Sequence, residues 1–460
     1  MITYSIIQKS QLEGALRLDA EYYQPEYLEL VDNLKKLGAV PIKEVAINPK
    51  RKFKPKKGEL FQYIEISEVD LSTGEYNKAE ILGENAPDRA QWIVKHDDVI
   101  ISTVRPIRNA VSLIREDTKN LVCSSGFTVL KSEKIEPEYL FTYLKSKPIV
   151  ELLDRKTTAT MYPAITTEDI LETKIYLGDK KLRDGIKNNI IEVQKKLENS
   201  KSFYSQAENL LLEELGLNDF KVEDDLPYIV TLSKIKSAHR VDAEYFQPKY
   251  EKIMAKIRKQ NVKSIGQLSA LVGHPTQSPY DETGDIAVLA QKHMKRNLAI
   301  DTSAFDNYTT ENLIKKSDKK FILKKNDLLI SSAGEPGLTC VWTEEGKAIS
   351  GSFVTIVRFA GEVEPFYVGV FLNTIAGRLQ FERDYTGSIQ QYVYPAKIKE
   401  ITIPILPKST QQKITDLVQK SHEARRKAKE LLEEAKQKFE PSFVLLRRSN
   451  PSLLRSYGIA

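Results

Sequence analysis

Apolar residues recur at alternating steps of four and three along two long stretches of the chain. In the first they are Ile186, Ile190, Val193, Leu197, Tyr204 and Leu211, with Ser200 and Ala207 keeping the step. In the second they are Ile414, Val418, Leu432 and Phe439, with Ser421, Arg425, Ala428 and Ala435 between them. This is an a/d seam on each of two helices, held for about four heptads. At 1.5 Å per residue each helix spans roughly 45–55 Å. Ser409-Thr-Gln-Gln412 after Pro407 predicts a capping-box start for the second helix, and Gly216 and Pro441 predict the two ends. Helices this long with seams this narrow are expected to pack on each other, antiparallel. The alternatives are packing of each helix on its own neighbouring unit, or homodimerisation.

Elsewhere the pattern changes to short apolar runs between Gly, Pro, Asp and Asn turns. Strands are predicted at 61–66, 91–94, 99–102, 110–114 and 127–130, and a helix at 140–153. Tyr27, Leu30, Val31, Leu34 and Leu37 predict another helix, stopped by Gly38.

The order then repeats. Arg17-Leu-Asp-Ala-Glu-Tyr-Tyr-Gln-Pro-Glu-Tyr27 returns as Arg240-Val-Asp-Ala-Glu-Tyr-Phe-Gln-Pro-Lys-Tyr250. Trp92-Ile-Val-Lys-His-Asp-Asp-Val-Ile-Ile-Ser102 lines up with Phe321-Ile-Leu-Lys-Lys-Asn-Asp-Leu-Leu-Ile-Ser331, and Glu136-Pro-Glu-Tyr139 with Glu364-Pro-Phe-Tyr367. The matched segments are cores, and the loops between them differ. One scaffold therefore presents two different surfaces. The fold class is α+β: two tandem β-rich units and two long antiparallel helices, related by a pseudo-two-fold axis. The expected divisions are 1–178, helix region 179–217, 218–406, helix region 407–440 and a tail, 441–460.

Charged residues at 29% and apolar residues at 41% suit a globular protein, and no run of about 18 apolar residues suggests a membrane span. Two cysteines, Cys123 and Cys340, cannot build a disulfide framework, so a cytoplasmic location is expected. The net charge of +6 is compatible with nucleic acid but decides nothing until its distribution is known.

Catalytic signals are missing. His96, His239, His274, His293 and His422 form no metal-ligand spacing, and no phosphate-binding glycine loop occurs. Nor is there an Asn/Asp-Pro-Pro-Tyr/Phe motif for holding an exocyclic base nitrogen. Glu172-Thr-Lys174 has nuclease-like spacing, but its repeat partner reads Glu400-Ile-Thr402, so a strand with a solvated face is expected.

What remains is binding. Lys50, Arg51, Lys52, Lys54, Lys56 and Lys57 form a basic run interleaved with Phe53 and Pro55. It either neutralises phosphates or is a solvated loop. Arg105 and Arg108 follow the strand at 99–102, where the second unit has Gly334-Glu-Pro-Gly337. Arginines there can hold phosphates or read guanine edges. In the second unit the candidates are Lys292, His293, Lys295, Arg296 and Asn297, then Gln390, Gln391 and Tyr392, since Gln suits adenine edges. Val393 is expected in the core.

This organisation resembles the specificity subunit of type I restriction–modification enzymes over essentially the whole chain. The resemblance rests on the tandem units, the two heptad helices, the repeated Asp97-Asp-Val-Ile-Ile-Ser102 and Asn326-Asp-Leu-Leu-Ile-Ser331, and the junction Ile403-Pro-Ile-Leu-Pro-Lys-Ser-Thr-Gln-Gln412 that follows Gly387-Ser388. The first copy departs from the pattern at Leu177-Gly-Asp-Lys-Lys-Leu-Arg183, which lacks the Pro and Gln. The resemblance implies two target recognition domains, each reading half of a split, asymmetric duplex target, with the helices as a spacer between half-sites. It implies a non-catalytic chain with no cofactor or metal of its own. Its partners would be double-stranded DNA, two methyltransferase subunits using S-adenosylmethionine, and restriction subunits using ATP and Mg. The rival reading is a duplicated protein-binding scaffold with no direct DNA role. The repeated Arg-x-Asp-Ala-Glu-Tyr stretch, being the same in both copies, is expected to frame each unit or to dock one of two identical partners, rather than to read two different half-sites.

Overall fold

The computed structural model describes residues 5–12, 17–158, 161–222, 228–344, 346–387 and 390–439. They fall into two compact units. The first holds the described residues through Lys196 and those from Arg426 onward; the second is Leu197–Arg425. The division cuts both long helices, Lys180–Glu214 and Lys408–Gln437, near their middles rather than at their ends. Each half-helix packs with the β-rich part it is counted with. The expected tail at 441–460, and with it Pro441, lies outside the described residues.

The first unit has two four-stranded sheets. One is antiparallel, in the order Ala46–Ile47, Phe127–Ser132, Asp98–Ser102, Val111–Leu113. The other places Leu60–Ile64 between Ala79–Leu82 and Leu121–Ser124, with Ala90–Ile93 on the far edge. Leu60–Ile64 and Leu121–Ser124 run parallel. The second unit repeats this plan. Its antiparallel sheet runs Ser269–Gly273, Val354–Phe359, Leu328–Ser331, Thr339–Val341, and its other sheet pairs Ile286–Leu289 in parallel with Ala348–Ser350. A two-stranded ribbon closes each unit: Val40–Pro41 with Lys174–Ile175, and Val262–Ser264 with Thr402–Pro404. Asp98–Ser102 and Leu328–Ser331 are buried along their whole length, which explains the apolar runs at 99–101 and 328–330.

The helix expected at 140–153 is two helices, Pro137–Lys145 and Lys147–Asp154. Ser146 between them is extended, and its hydroxyl donates to Tyr143 O at 2.6 Å. The second unit breaks in the same way between Pro365–Asn373 and Ile375–Arg383, where the Thr374 hydroxyl donates to Phe371 O at 2.7 Å. Each carbonyl also accepts the same residue's backbone amide, Ser146 N at 3.0 Å and Thr374 N at 3.1 Å, so amide and hydroxyl together close the turn on one acceptor.

The apolar seam residues are buried: Ile186, Ile190, Val193, Leu197, Tyr204 and Leu211, and Ile414, Val418, Leu432 and Phe439; Arg425, on the same seam, is half-buried. Within the first unit Lys438 Nζ donates to Gly185 O at 2.9 Å, and Asn189 Nδ2 to Leu431 O at 3.4 Å. Those two helix segments therefore run antiparallel. The Phe439 ring packs edge-on against Tyr139 and Tyr143. Within the second unit Ser421 Oγ donates to Ser200 O at 2.7 Å, and Ala207 and Leu211 share a core with Ile414 and Val418.

The first long helix ends as expected. Gly216 takes φ +64°, and Leu217 N donates back to Leu212 O. The capping box expected at 409–412 does not form, because the helix already starts at Lys408. Gln411 turns inward instead: its Nε2 donates to Leu406 O at 2.9 Å and its Oε1 accepts from Glu364 N at 3.0 Å.

Candidate nucleic-acid interface

The repeated strand motif sets up the same tip in each unit. Asp97 and Asn326 sit at φ +68° and +70°, a conformation that Asp and Asn tolerate better than most residues. The following Asp98 and Asp327 are buried. Each accepts a backbone amide three residues back, Lys95 N at 2.7 Å and Lys324 N at 2.8 Å. Each also takes a guanidinium, from Arg51 in one unit and from Arg358, at 2.6 and 2.7 Å, in the other. Burial holds the Asp98 carboxyl above its ordinary range despite Arg51 beside it. At the far end of the strand the Ser102 hydroxyl donates to Val104 O, and the Ser331 hydroxyl to Ala333 O. The strand thus ends in a turn that hands the chain to an exposed loop.

A second loop meets this turn. Val104 bridges to Ala164 and Ala333 to Tyr392, while Ile165 N donates to Thr103 O and Val393 N to Ser332 O. A third segment is held by Thr103 N to Gly126 O and Ser332 N to Phe353 O, both 2.8 Å. The hydrogen bonds therefore equate Arg105 with Gly334, Tyr162 with Gln390, and Gly126 with Phe353.

The repeated Arg-x-Asp-Ala-Glu-Tyr stretch braces this tip. Arg17 forks onto Asp19 at 2.8 and 2.7 Å, lies over the Tyr22 ring and reaches Thr157 O. Arg240 forks onto Asp242 at the same distances, lies over Tyr245 and reaches Tyr385 O. Arg155 and Arg383, from the helices leading into the loops, add a second guanidinium to the same rings. The Arg17 guanidinium holds the Asp19 carboxyl below its ordinary range. Identical sequence here means an identical brace, at the root of loops that differ.

The loops themselves are unlike. In the first unit Arg105 takes φ +49° and its amide donates to Pro163 O at 2.7 Å. Its guanidinium lies 5.5 Å from the centre of the Tyr162 ring. Met161 and Tyr162 are 79% and 66% exposed, and Ile107 and Arg108 are exposed beside them. A left-handed backbone at a residue with a side chain costs about 1–2 kcal/mol. In the second unit the corresponding Gly334, φ +80°, avoids that cost. That tip instead exposes Phe353 and Tyr394 around a half-buried Tyr392, with ring centres 6.1 and 4.6 Å from it. Gln390 and Gln391 are exposed, and Val393 is fully buried, as expected.

Several candidates lie elsewhere. Arg51 is half-buried on Asp98 and serves the strand, not the basic run. Lys56 pairs with Glu59 at 3.2 Å, leaving Lys50, Lys52, Lys54 and Lys57 exposed. The cluster at 292–297 is not a free basic patch. His293 is fully buried, accepts Ala290 N on Nδ1 and packs on Phe305; burial pulls its pKa down. Lys292 pairs with Asp306, Lys295 with Asp301 at 3.6 Å, and Arg296 with Glu335 at 2.9 Å. Asn297 turns its carbonyl to His422 Nε2 at 2.8 Å, beside the second long helix. Glu172 lies at a helix end paired with Lys43, not on the strand Lys174–Ile175. Tyr162, Met161 and Phe353 were not singled out in the sequence. Aligning the loops by their distance from Arg155 and Arg383 would have found the first two. Among the described residues no cluster of His, Cys, Asp or Glu could hold a metal ion.

Residues 258–437 match the family model described as the type I restriction modification DNA specificity domain. The matched span runs from the end of the helix Pro248–Ile257 to the end of Lys408–Gln437, so it includes the whole second tip and its strand frame. The internal repeat carries the same framework into the first half. Solved structures similar to the chain include the HsdS subunit from Thermoanaerobacter tengcongensis, at 20% identity over 88% of this chain and 96% of that one, with a TM-score of 0.33. Another is the type I restriction–modification S subunit from M. genitalium, at 15% identity over 87% and 95%, with a TM-score of 0.37. No curated protein matches the chain.

Proposed function

We propose that this chain is the DNA sequence-recognition subunit of a type I restriction–modification complex and is itself non-catalytic. Each β-rich unit reads one half of a bipartite, asymmetric duplex target. The two long helices form an antiparallel coiled coil that relates the units by a pseudo-two-fold axis and sets the gap between half-sites. Two methyltransferase subunits, using S-adenosylmethionine, and the restriction subunits, using ATP and Mg, assemble on it in the cytoplasm. No helix among the described residues is long and apolar enough to cross a membrane.

One observation supports this above the others: a duplicated frame, braced by identical residues, delivers two chemically different exposed tips. A scaffold for two identical partners gains nothing from unlike tips, whereas a reader of two unlike half-sites requires them. Exposed aromatic and apolar side chains at both tips mark interaction surfaces. The exposed lysines of the first unit suit phosphate contact.

The test is binding of the full chain, with its modification subunits, to duplex DNA across a salt series. Specific duplexes should be bound best, with log affinity falling linearly against log salt. Affinity indifferent to both salt and sequence would rule the reading out and favour the protein scaffold.

A further inference from the structure

We infer that Arg105 is the guanine-reading residue of the first unit, and that the second unit reads its half-site without an arginine at that position. The inference rests on the DNA-recognition role proposed above and assigns the specificity within it.

Three observations converge on Arg105. It occupies a left-handed backbone position that the second unit gives to Gly334, so the arginine is kept where glycine would fit better. The loop around it is built tightly: Arg108 N donates to Arg105 O and Asn109 N to Pro106 O, both 2.9 Å, and Asn109 is itself left-handed. The fully buried Lys145 then closes the loop from below. Its Nζ donates to Asn109 O at 3.2 Å and Leu71 O at 3.0 Å, while Asn109 Nδ2 donates to Lys145 O. Finally, the guanidinium rests on the exposed Tyr162 ring and pairs with no carboxylate among the described residues. A planar ring under a guanidinium limits its orientations while leaving its donor edge free. That edge matches the O6 and N7 acceptors of guanine in the major groove.

Other guanidinium groups of the two units show the contrast. Arg51 and Arg358 are spent on buried aspartates, Arg17 and Arg240 on the brace, and Arg296 on Glu335. Arg108 is exposed on the same loop without a ring beneath it, which suits a phosphate contact rather than a base edge. In the second unit Gly334 removes the side chain and Phe353 stands where the first unit has Gly126. The reading groups left there are the Gln390 and Gln391 amides and the aromatic faces, suited to adenine edges and thymine methyls.

The test uses the full chain with its modification subunits and a duplex library carrying two randomised half-sites. The wild type should recover a bipartite motif with at least one G·C pair in one half. Arg105→Gly should fold with an unchanged or higher melting temperature and lose selection at one G·C pair of that half, by about tenfold or more. The other half should be unchanged. Arg105→Lys should lose the same selection while keeping the salt slope. Arg108→Gln should weaken all sequences alike and lower the slope. An Arg105→Gly motif identical to the wild type, loss confined to the other half, or an unfolded glycine variant would each overturn the assignment. Failure of the wild type to select any sequence would instead overturn the DNA-recognition role itself.

Discussion

At the scale of single residues, Lys145 shows how a tip is held by a group the sequence conceals. A lysine at the end of an apolar helix reads as an ordinary basic C-terminal residue. In the fold it is fully buried, and burial lowers its pKa to about 7, with Lys436 pushing the same way and Asp70 and Glu433 opposing. The unfolded chain therefore binds a proton that the folded chain lacks between about pH 7 and the ordinary lysine pKa. Stability contributed by this site should rise with pH across that window and level off below it. Urea unfolding at pH 7 and pH 9 is expected to show a gain on the order of 2 kcal/mol that Lys145→Met abolishes. An equal gain in the variant would show that the amine is not the source. The repeat counterpart, Asn373, does the same joining work without a charge: its side chain accepts Thr339 N and donates to the Arg296 and Thr339 carbonyls. His293 makes the opposite point. It sits in a basic-looking run, yet is buried in the core, because a run of charged letters says nothing about which way each side chain faces.

Among the elements, those whose pattern is set by burial were legible. The strand ending at Ser102, its partner ending at Ser331, and both heptad helices carry their periodicity because one face or both is removed from water. The short strand Leu121–Ser124 and the helix break at Ser146 were not legible, since one is only four residues long and the other is one extended residue inside an otherwise helical pattern. The tips were the least legible, because Met161 and Tyr162 are residue types normally read as core. For the helices the consequence can be measured. The buried Ser200–Ser421 hydrogen bond is a polar pair in a mostly apolar seam, of the kind that fixes register. Deleting one heptad around it from both helices keeps the seam in phase and shortens the pair by about 10 Å, or about three base pairs of duplex. The methylated motif is expected to keep both half-sites and lose about three base pairs from its gap. An unchanged gap would mean that the helices do not set the spacing.

For the whole molecule, the decisive property is that frame and reading surface are separable. The brace, the buried aspartate of the strand and the helix break recur in both halves, while Arg105, Tyr162, Phe353 and the Gln pair do not. A chain in which residues 99–165 are replaced by residues 328–393 would therefore keep its frame and carry the second tip twice. If the two units are related by the proposed two-fold axis, two identical readers face the duplex from opposite directions along it. Such a chain, assembled with its modification subunits, is expected to select an inverted repeat of the original second half-site, with the gap unchanged because both helices are untouched. A direct repeat would refute the antiparallel arrangement while leaving modular reading intact. Retention of the original asymmetric motif would place the reading residues outside the exchanged segment, and the tips would then lose their claim to the DNA.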